Sequence, residues 1–165
     1  MPRKKTPQKR LGKHEQKLFN KALATVRGHK IFWRYKAKGE TWHNNTLINT
    51  LLQAGIDAKH ANIPTVTFLG ETFRCEAFVD GGAFPLLAVE CKKALTRNLK
   101  AVWKEGLSQA LLYSATYKRV ILVFYDFTNN GVMATAFSRG NKLETAFCKQ
   151  LREKNRITTV VLKPS

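Results

Sequence analysis

Glu76, Glu90 and Lys92 are the side chains in this sequence whose types and spacing could do chemistry. They belong to the stretch FRCEAFVDGGAFPLLAVECKK, from Phe73 to Lys93. Aromatic and β-branched residues fill Phe73 to Val79, and Leu86 to Lys92 is a second apolar run. Asp80, Gly81, Gly82 and Pro85 carry turn chemistry between them, so the stretch predicts a β-hairpin. Centring it near Ala83 sets opposite each other residues whose numbers sum to 166. Glu76 then faces Glu90, and Arg74 faces Lys92. Alternation puts these four side chains on one face and Cys75 with Cys91 on the other. Two carboxylates this close repel unless a proton or a cation lies between them. Hard oxygen ligands converging on one point suit Mg²⁺, which takes one or two carboxylates and completes its shell with water and phosphate.

The triplet Glu90-Cys91-Lys92, with an acidic residue on the preceding strand, resembles the PD-(D/E)XK nuclease superfamily of restriction enzymes, Holliday-junction resolvases and RecB-type nucleases. Gly106-Leu107-Ser108-Gln109-Ala110-Leu111-Leu112-Tyr113 resembles the Gln-x-x-x-Tyr helix of its RecB-like branch. The likeness runs from Glu40 to Asp126. A Glu-x-Lys triplet alone is common on solvated strand faces, where ion pairs are weak. Here it ends an apolar strand, a carboxylate lies opposite, and a helix with Gln and Tyr follows; that conjunction carries the likeness. One position departs from the family pattern. Its first acidic residue is Glu76 by register or Asp80 by residue identity. Asp80 sits in the turn, about 13 Å along the strand from Glu76, and register favours Glu76.

The resemblance implies an α/β fold with a restriction-endonuclease-like αβββαβ core and a mixed central sheet, plus extra N- and C-terminal helices. It implies Mg²⁺, with Mn²⁺ as a substitute, held by Glu76, Glu90 and the carbonyl of Cys91. Lys92 would stand beside the attacking water or the phosphate. Gln109 and Tyr113, four apart on one helix flank, would face the metal site and touch phosphate or water. An extra acidic residue ahead of the sheet would be Glu40, with Glu15 its rival. Both also suit a helix first turn, where a negative charge complements the dipole. Arg74 is either a bidentate phosphate clamp or a structural ion-pair partner.

The elements that must position these residues follow from periodicity. Lys13 to Arg27 predicts a helix ended by Gly28. Ile31 to Tyr35 is a short strand or an aromatic plug, and Trp33 and Tyr35 beside Arg34 and Lys36 could stack bases or pack in the core. Thr41 to Ala54 predicts a helix with Trp42, Leu47, Ile48, Leu51 and Leu52 buried and Gly55 as its stop. His43 there is a structural histidine or a contact to water or phosphate. Thr65 to Leu69 and Glu71 to Val79, around Gly70, predict a meander of three antiparallel strands with the hairpin. Asn98 to Tyr117 is the most periodic helix, with Leu99, Val102, Trp103, Leu107, Ala110, Leu111 and Ser114 inward. Arg119 to Asp126 is a continuous apolar run, as a central parallel strand should be, so strand, helix and strand make one right-handed crossover unit. Asn141-Lys142-Leu143-Glu144 is close to a capping box and opens a helix carrying Leu143, Ala146, Phe147 and Leu151. Ile157 to Leu162 is a last strand.

A net charge of +18 on 165 residues points to a polyanion, because self-repulsion otherwise opposes compaction. Nucleic acid leads, with an acidic membrane surface second. No apolar run reaches the ~18 residues of a membrane span, and no secretory signal follows the basic start. Residues 1–12 read as a flexible basic arm and 13–165 as a single nuclease-like domain. Arg3, Lys4, Lys5, Lys9 and Arg10 of the arm, with Lys93, are candidate phosphate contacts. Three cysteines without CxxC spacing exclude a zinc ribbon and an iron–sulfur cluster and indicate a reducing compartment. An intracellular protein is expected, in cytoplasm or nucleoid and compatible with a phage or viral source, with no small-molecule cofactor. The expectation is a Mg²⁺-dependent DNA endonuclease, structure-specific or of recombination, repair or restriction type. A homodimer would suit the cutting of two strands. The alternative is a nuclease-like scaffold that binds nucleic acid without cutting it.

Overall fold

Two long apolar strands, Pro85–Ala94 and Arg119–Asp126, lie side by side in the middle of a sheet because nearly every side chain along them is buried. The computed structural model describes residues 10–81, 85–138 and 142–165. In chain order the helices are α1 (Lys13–Gly28), α2 (Glu40–Gln53), α3 (Leu99–Thr116), α4 (Val132–Ala136) and α5 (Lys142–Gln150). The strands are β1 (Ala58–Lys59), β2 (Val66–Phe68), β3 (Glu71–Phe73), β4 (Ala77–Asp80), β5 (Pro85–Ala94), β6 (Arg119–Asp126) and β7 (Ile157–Leu162). The main sheet runs β1-β4-β5-β6-β7. It is mixed: β1, β4 and β5 are antiparallel, and β5, β6 and β7 are parallel.

Alternation along the strands feeds two cores. Val79, Leu87, Val89, Cys91, Ile121, Val123 and Tyr125 meet α1 and α2 through Phe19, Ala22, Leu47 and Leu51. Phe78, Ala88, Val120, Leu122 and Phe124 meet α3 through Val102, Ala110 and Tyr113. The result is a helix–sheet–helix sandwich, an α/β protein as the sequence predicts.

The hairpin register holds from Ala77 opposite Val89 to Val79 opposite Leu87, then slips by one at Asp80 opposite Pro85. Several expectations need correction. Among the described residues β2 and β3 pair only with each other, so the third antiparallel strand of the main sheet is the two-residue β1. The chain leaves strand geometry between Phe73 and Ala77, and the pairing of Arg74 with Lys92 is not formed. That break also turns Cys75 into the core under α3 while Cys91 lies under α1 and α2. The two free thiols therefore sit on opposite faces of the sheet. Trp33–Tyr35 forms a short helical turn rather than a strand. Leu52 and Leu111 face outward, because the packed stripes run through His43, Asn44, Leu47, Ile48 and Leu51 on α2 and through Val102, Gly106, Ala110 and Tyr113 on α3. Asn141 of the expected capping box lies outside the described residues.

Candidate active site

β5 is longer than β4, and the site lies where it overhangs. The last ladder pair is Ala77 with Val89, and one further bond runs from the Glu76 N–H to the Val89 carbonyl at 3.0 Å. Beyond it the edge of β5 has no strand partner among the described residues, and the Lys93 N–H there donates to Glu40 Oε2 at 2.6 Å. Backbone groups alternate along a strand, so the Cys91 carbonyl, between those of Val89 and Lys93, points out of the same edge. Glu76 at the start of β4 and Glu40 at the start of α2 flank this notch.

Glu90 and Lys92 project from β5 towards α3. The Lys92 stem runs beside Gly106, where a Cβ would meet Lys92 Cγ at 3.1 Å and Leu122 and Phe124 at 3.2 Å. A larger residue at 106 would push the helix off the sheet. Lys92 Nζ lies 3.1 Å from Glu90 Oε1, 2.9 Å from Glu105 Oε1 and 4.0 Å from Glu40 Oε1. Asn44, one turn beyond Glu40, lies beside the Glu76 carboxylate and favours its charged form.

Burial sets the electrostatics. Glu90 is 1% exposed, and loss of water pushes its carboxyl up to about 8, against the pull of Lys92 and with repulsion from Glu76 and Glu40 adding to it. Burial also raises Glu76, Glu40 adds repulsion, and Asn44 and Lys92 oppose both. For Lys92, burial pulls the ammonium down, but Glu90, Glu105 and Glu40 together outweigh it and hold the group protonated. Glu90 Oε2 is buried and has no hydrogen-bond partner among the described residues.

Glu76, Glu90, Lys92 and Glu40 thus come together; other candidates do not. Asp80 is exposed at the far end of β4, 3.9 Å from Lys59. Glu15 pairs with Lys118 at 2.5 Å, well along the chain from this notch. Tyr113 is buried and its hydroxyl donates to the Arg74 carbonyl at 2.7 Å. It therefore fixes the Arg74–Glu76 segment instead of touching phosphate. Gln109 Oε1 on the same flank is buried without a partner among the described residues. The Arg74 side chain is exposed, in keeping with a clamp rather than an internal ion pair. Lys93 is corrected from phosphate contact to tether: its ammonium donates to the carbonyls of Lys36 and Lys38. His43 is sealed between Trp42, Tyr125 and Phe127, and burial lowers its pKa, so it is a core histidine. Of the basic arm, Arg10 is exposed, and Arg3, Lys4, Lys5 and Lys9 lie outside the described residues.

Compared with family models, with curated proteins and with solved structures, the chain matches none.

Two residues of the notch escaped sequence reasoning. Glu105 precedes Gln109 by four, and Asn44 follows Glu40 by four, so the helical spacing that places one partner also places the other. Among the described residues no three His, Cys, Asp or Glu side chains gather closely enough to hold a metal. Mg²⁺ asks for less, since one or two carboxylates and a carbonyl suffice when water and phosphate complete the shell. The unpartnered oxygen of Glu90, the Glu76 carboxylate and the outward Cys91 carbonyl fit that donor set.

Proposed function

We propose that this chain is a Mg²⁺-dependent DNA endonuclease with a restriction-endonuclease-like core of the PD-(D/E)XK type. The observation that carries the reading is the meeting of Glu76, Glu90 and Lys92 at the notch where β5 outruns β4. The element order from α2 through the antiparallel strands, α3 and β6 accords with it, as does the charge of +18. Glu76, Glu90 and the Cys91 carbonyl would hold the ion, with Mn²⁺ as a substitute. A divalent ion so held lowers the pKa of bound water and offsets charge on the scissile phosphate. Lys92, kept protonated by its carboxylates, supplies a fixed positive charge beside the phosphate. Asn44 orients Glu76, and Tyr113 holds the segment that delivers it.

The test is cleavage of plasmid, linear duplex, single strand and four-way junction, with Lys92→Met as control. The expected result is Mg²⁺-dependent cutting of at least one substrate, abolished by EDTA and by the substitution. No cutting with Mg²⁺ or Mn²⁺, or equal cutting by the variant, removes the enzyme reading. A second reading is a non-catalytic nucleic-acid-binding protein on the same scaffold. It is favoured by the contacts of Lys92 with Glu90 and Glu105, which engage the ammonium within the protein. That reading expects steeply salt-dependent binding indifferent to EDTA.

A further inference from the structure

A cavity of about 670 Å³ opens beside the notch, lined by Trp33, Arg34, Lys36, Lys93, Thr96 and Arg97 among others. Among the described residues its lining contains four cations and no carboxylate. Lys93 joins it to the notch: the backbone N–H of this residue meets Glu40, while its side chain turns to the opposite face of the sheet from Lys92 and lies 5.6 Å from the Phe127 ring. The Lys93 ammonium ties down the carbonyls of Lys36 and Lys38, so the turn carrying Arg34 and Lys36 is anchored at the cavity mouth. Arg34, Lys36, Lys93 and Arg97 are thus gathered around one cavity. Such crowding of like charge is relieved by an anion.

The aromatic wall makes the anion more specific than phosphate alone. Trp33 is 41% exposed, and its contact with Phe127 is edge-on at 5.9 Å and 73°. An edge contact of this kind leaves ring face available. Lys36 Nζ lies 5.5 Å from the Trp33 centroid, and an arriving phosphate gives that ammonium a stronger partner than the ring. A base inside a duplex is stacked on both sides and cannot reach an aromatic wall; an unpaired one can.

We propose that this cavity is a subsite for an unpaired nucleotide of a DNA substrate, its base against Trp33 and its phosphates among Arg34, Lys36 and Arg97. The proposal deepens the nuclease reading and rests on it for the choice of DNA. The substrate class it names is duplex DNA with a single-stranded tail or splayed end.

The experiment measures binding of the full chain in EDTA at fixed salt, so that no cleavage enters. A short duplex is compared with the same duplex bearing a single-stranded tail that carries 2-aminopurine. The tailed DNA should bind about 10-fold more tightly, with quenching of the probe on stacking. Trp33→Ala should remove both the preference and the quenching while duplex affinity stays within about 2-fold. Trp33→Phe should keep most of the preference, which checks folding, and Arg97→Glu should weaken tailed DNA more than duplex. Equal affinity for the two DNAs, or equal weakening of both by Trp33→Ala, overturns the proposal. Tighter binding of an RNA tail of the same sequence overturns the assignment to DNA. Lys92→Met should retain the tail preference, so loss of cleavage and loss of the subsite are read separately.

Discussion

Glu90→Gln should make the protein more stable at alkaline pH while abolishing cleavage. The substitution keeps the shape and removes the charge. Glu90 is buried at 1% exposure, and its carboxyl is displaced from 4.5 to about 8; a displacement of that size corresponds to about 5 kcal/mol. Because the folded pKa is raised, the folded state keeps its proton while the unfolded chain has lost it, so this group's contribution to stability falls as pH rises from 4.5 to about 8. Glutamine escapes that loss. Lys92 gives up one partner in the exchange but keeps Glu105 at 2.9 Å, which leaves a net gain of about 2 kcal/mol. For a chain of this size that is a rise in Tm of about 4–8 °C at alkaline pH, shrinking towards zero near pH 5. Mg²⁺ should raise the Tm of the wild type at alkaline pH and leave the variant unchanged, since an ion binding only the folded form stabilises it by mass action. Thermal melts across pH, with and without Mg²⁺, read all of this. A Tm difference independent of pH, or a variant less stable than wild type at alkaline pH, refutes the reasoning.

The remaining outcomes concern the supports of the notch. Lys92→Met keeps the stem beside Gly106 but leaves Glu90 without its nearest cation, so denaturant melts at alkaline pH should show a loss of about 3 kcal/mol together with absent cleavage. Gly106→Ala gains up to about 1 kcal/mol of helix propensity, yet its methyl meets fully buried Leu122 and Phe124 at 3.2 Å. Overpacking should win by about 1–2 kcal/mol in the same melts and slow cleavage by displacing Lys92. Tyr113→Phe removes the donor to the Arg74 carbonyl and should cost about 1–2 kcal/mol in those melts. Its cleavage defect should be in kcat rather than in DNA affinity, because the hydroxyl touches backbone and not substrate.

What was legible in the sequence was whatever repeats over a long enough stretch. β6 carries a continuous apolar run and β7 a β-branched one, and both appear with the expected bounds. The turn residues predict the register of β4 on β5 from Ala77 to Val79, and that register brings Glu76 near Glu90. β1 is two residues long, too short for a period to emerge. The break between Phe73 and Ala77 also left no mark, since Arg74, Cys75 and Glu76 alternate as a strand would. It is enforced from outside by the Tyr113 hydroxyl on the Arg74 carbonyl, a tertiary contact invisible locally. The same holds for Lys93, whose type suggests a phosphate contact and whose surroundings make it a tether. The cavity beside Lys93 is not written in periodicity at all, because three separate segments build it.

The overhang of β5 has one further consequence. A bare strand margin is a template on which a neighbouring molecule can build fibre-like stacks. Here the amide of Lys93 is already occupied by Glu40, so the carboxylate that helps shape the notch also stops strangers from docking along it. Ageing and turbidity of a Glu40→Ala preparation would therefore reveal a second duty of this side chain, that of keeping the molecules apart.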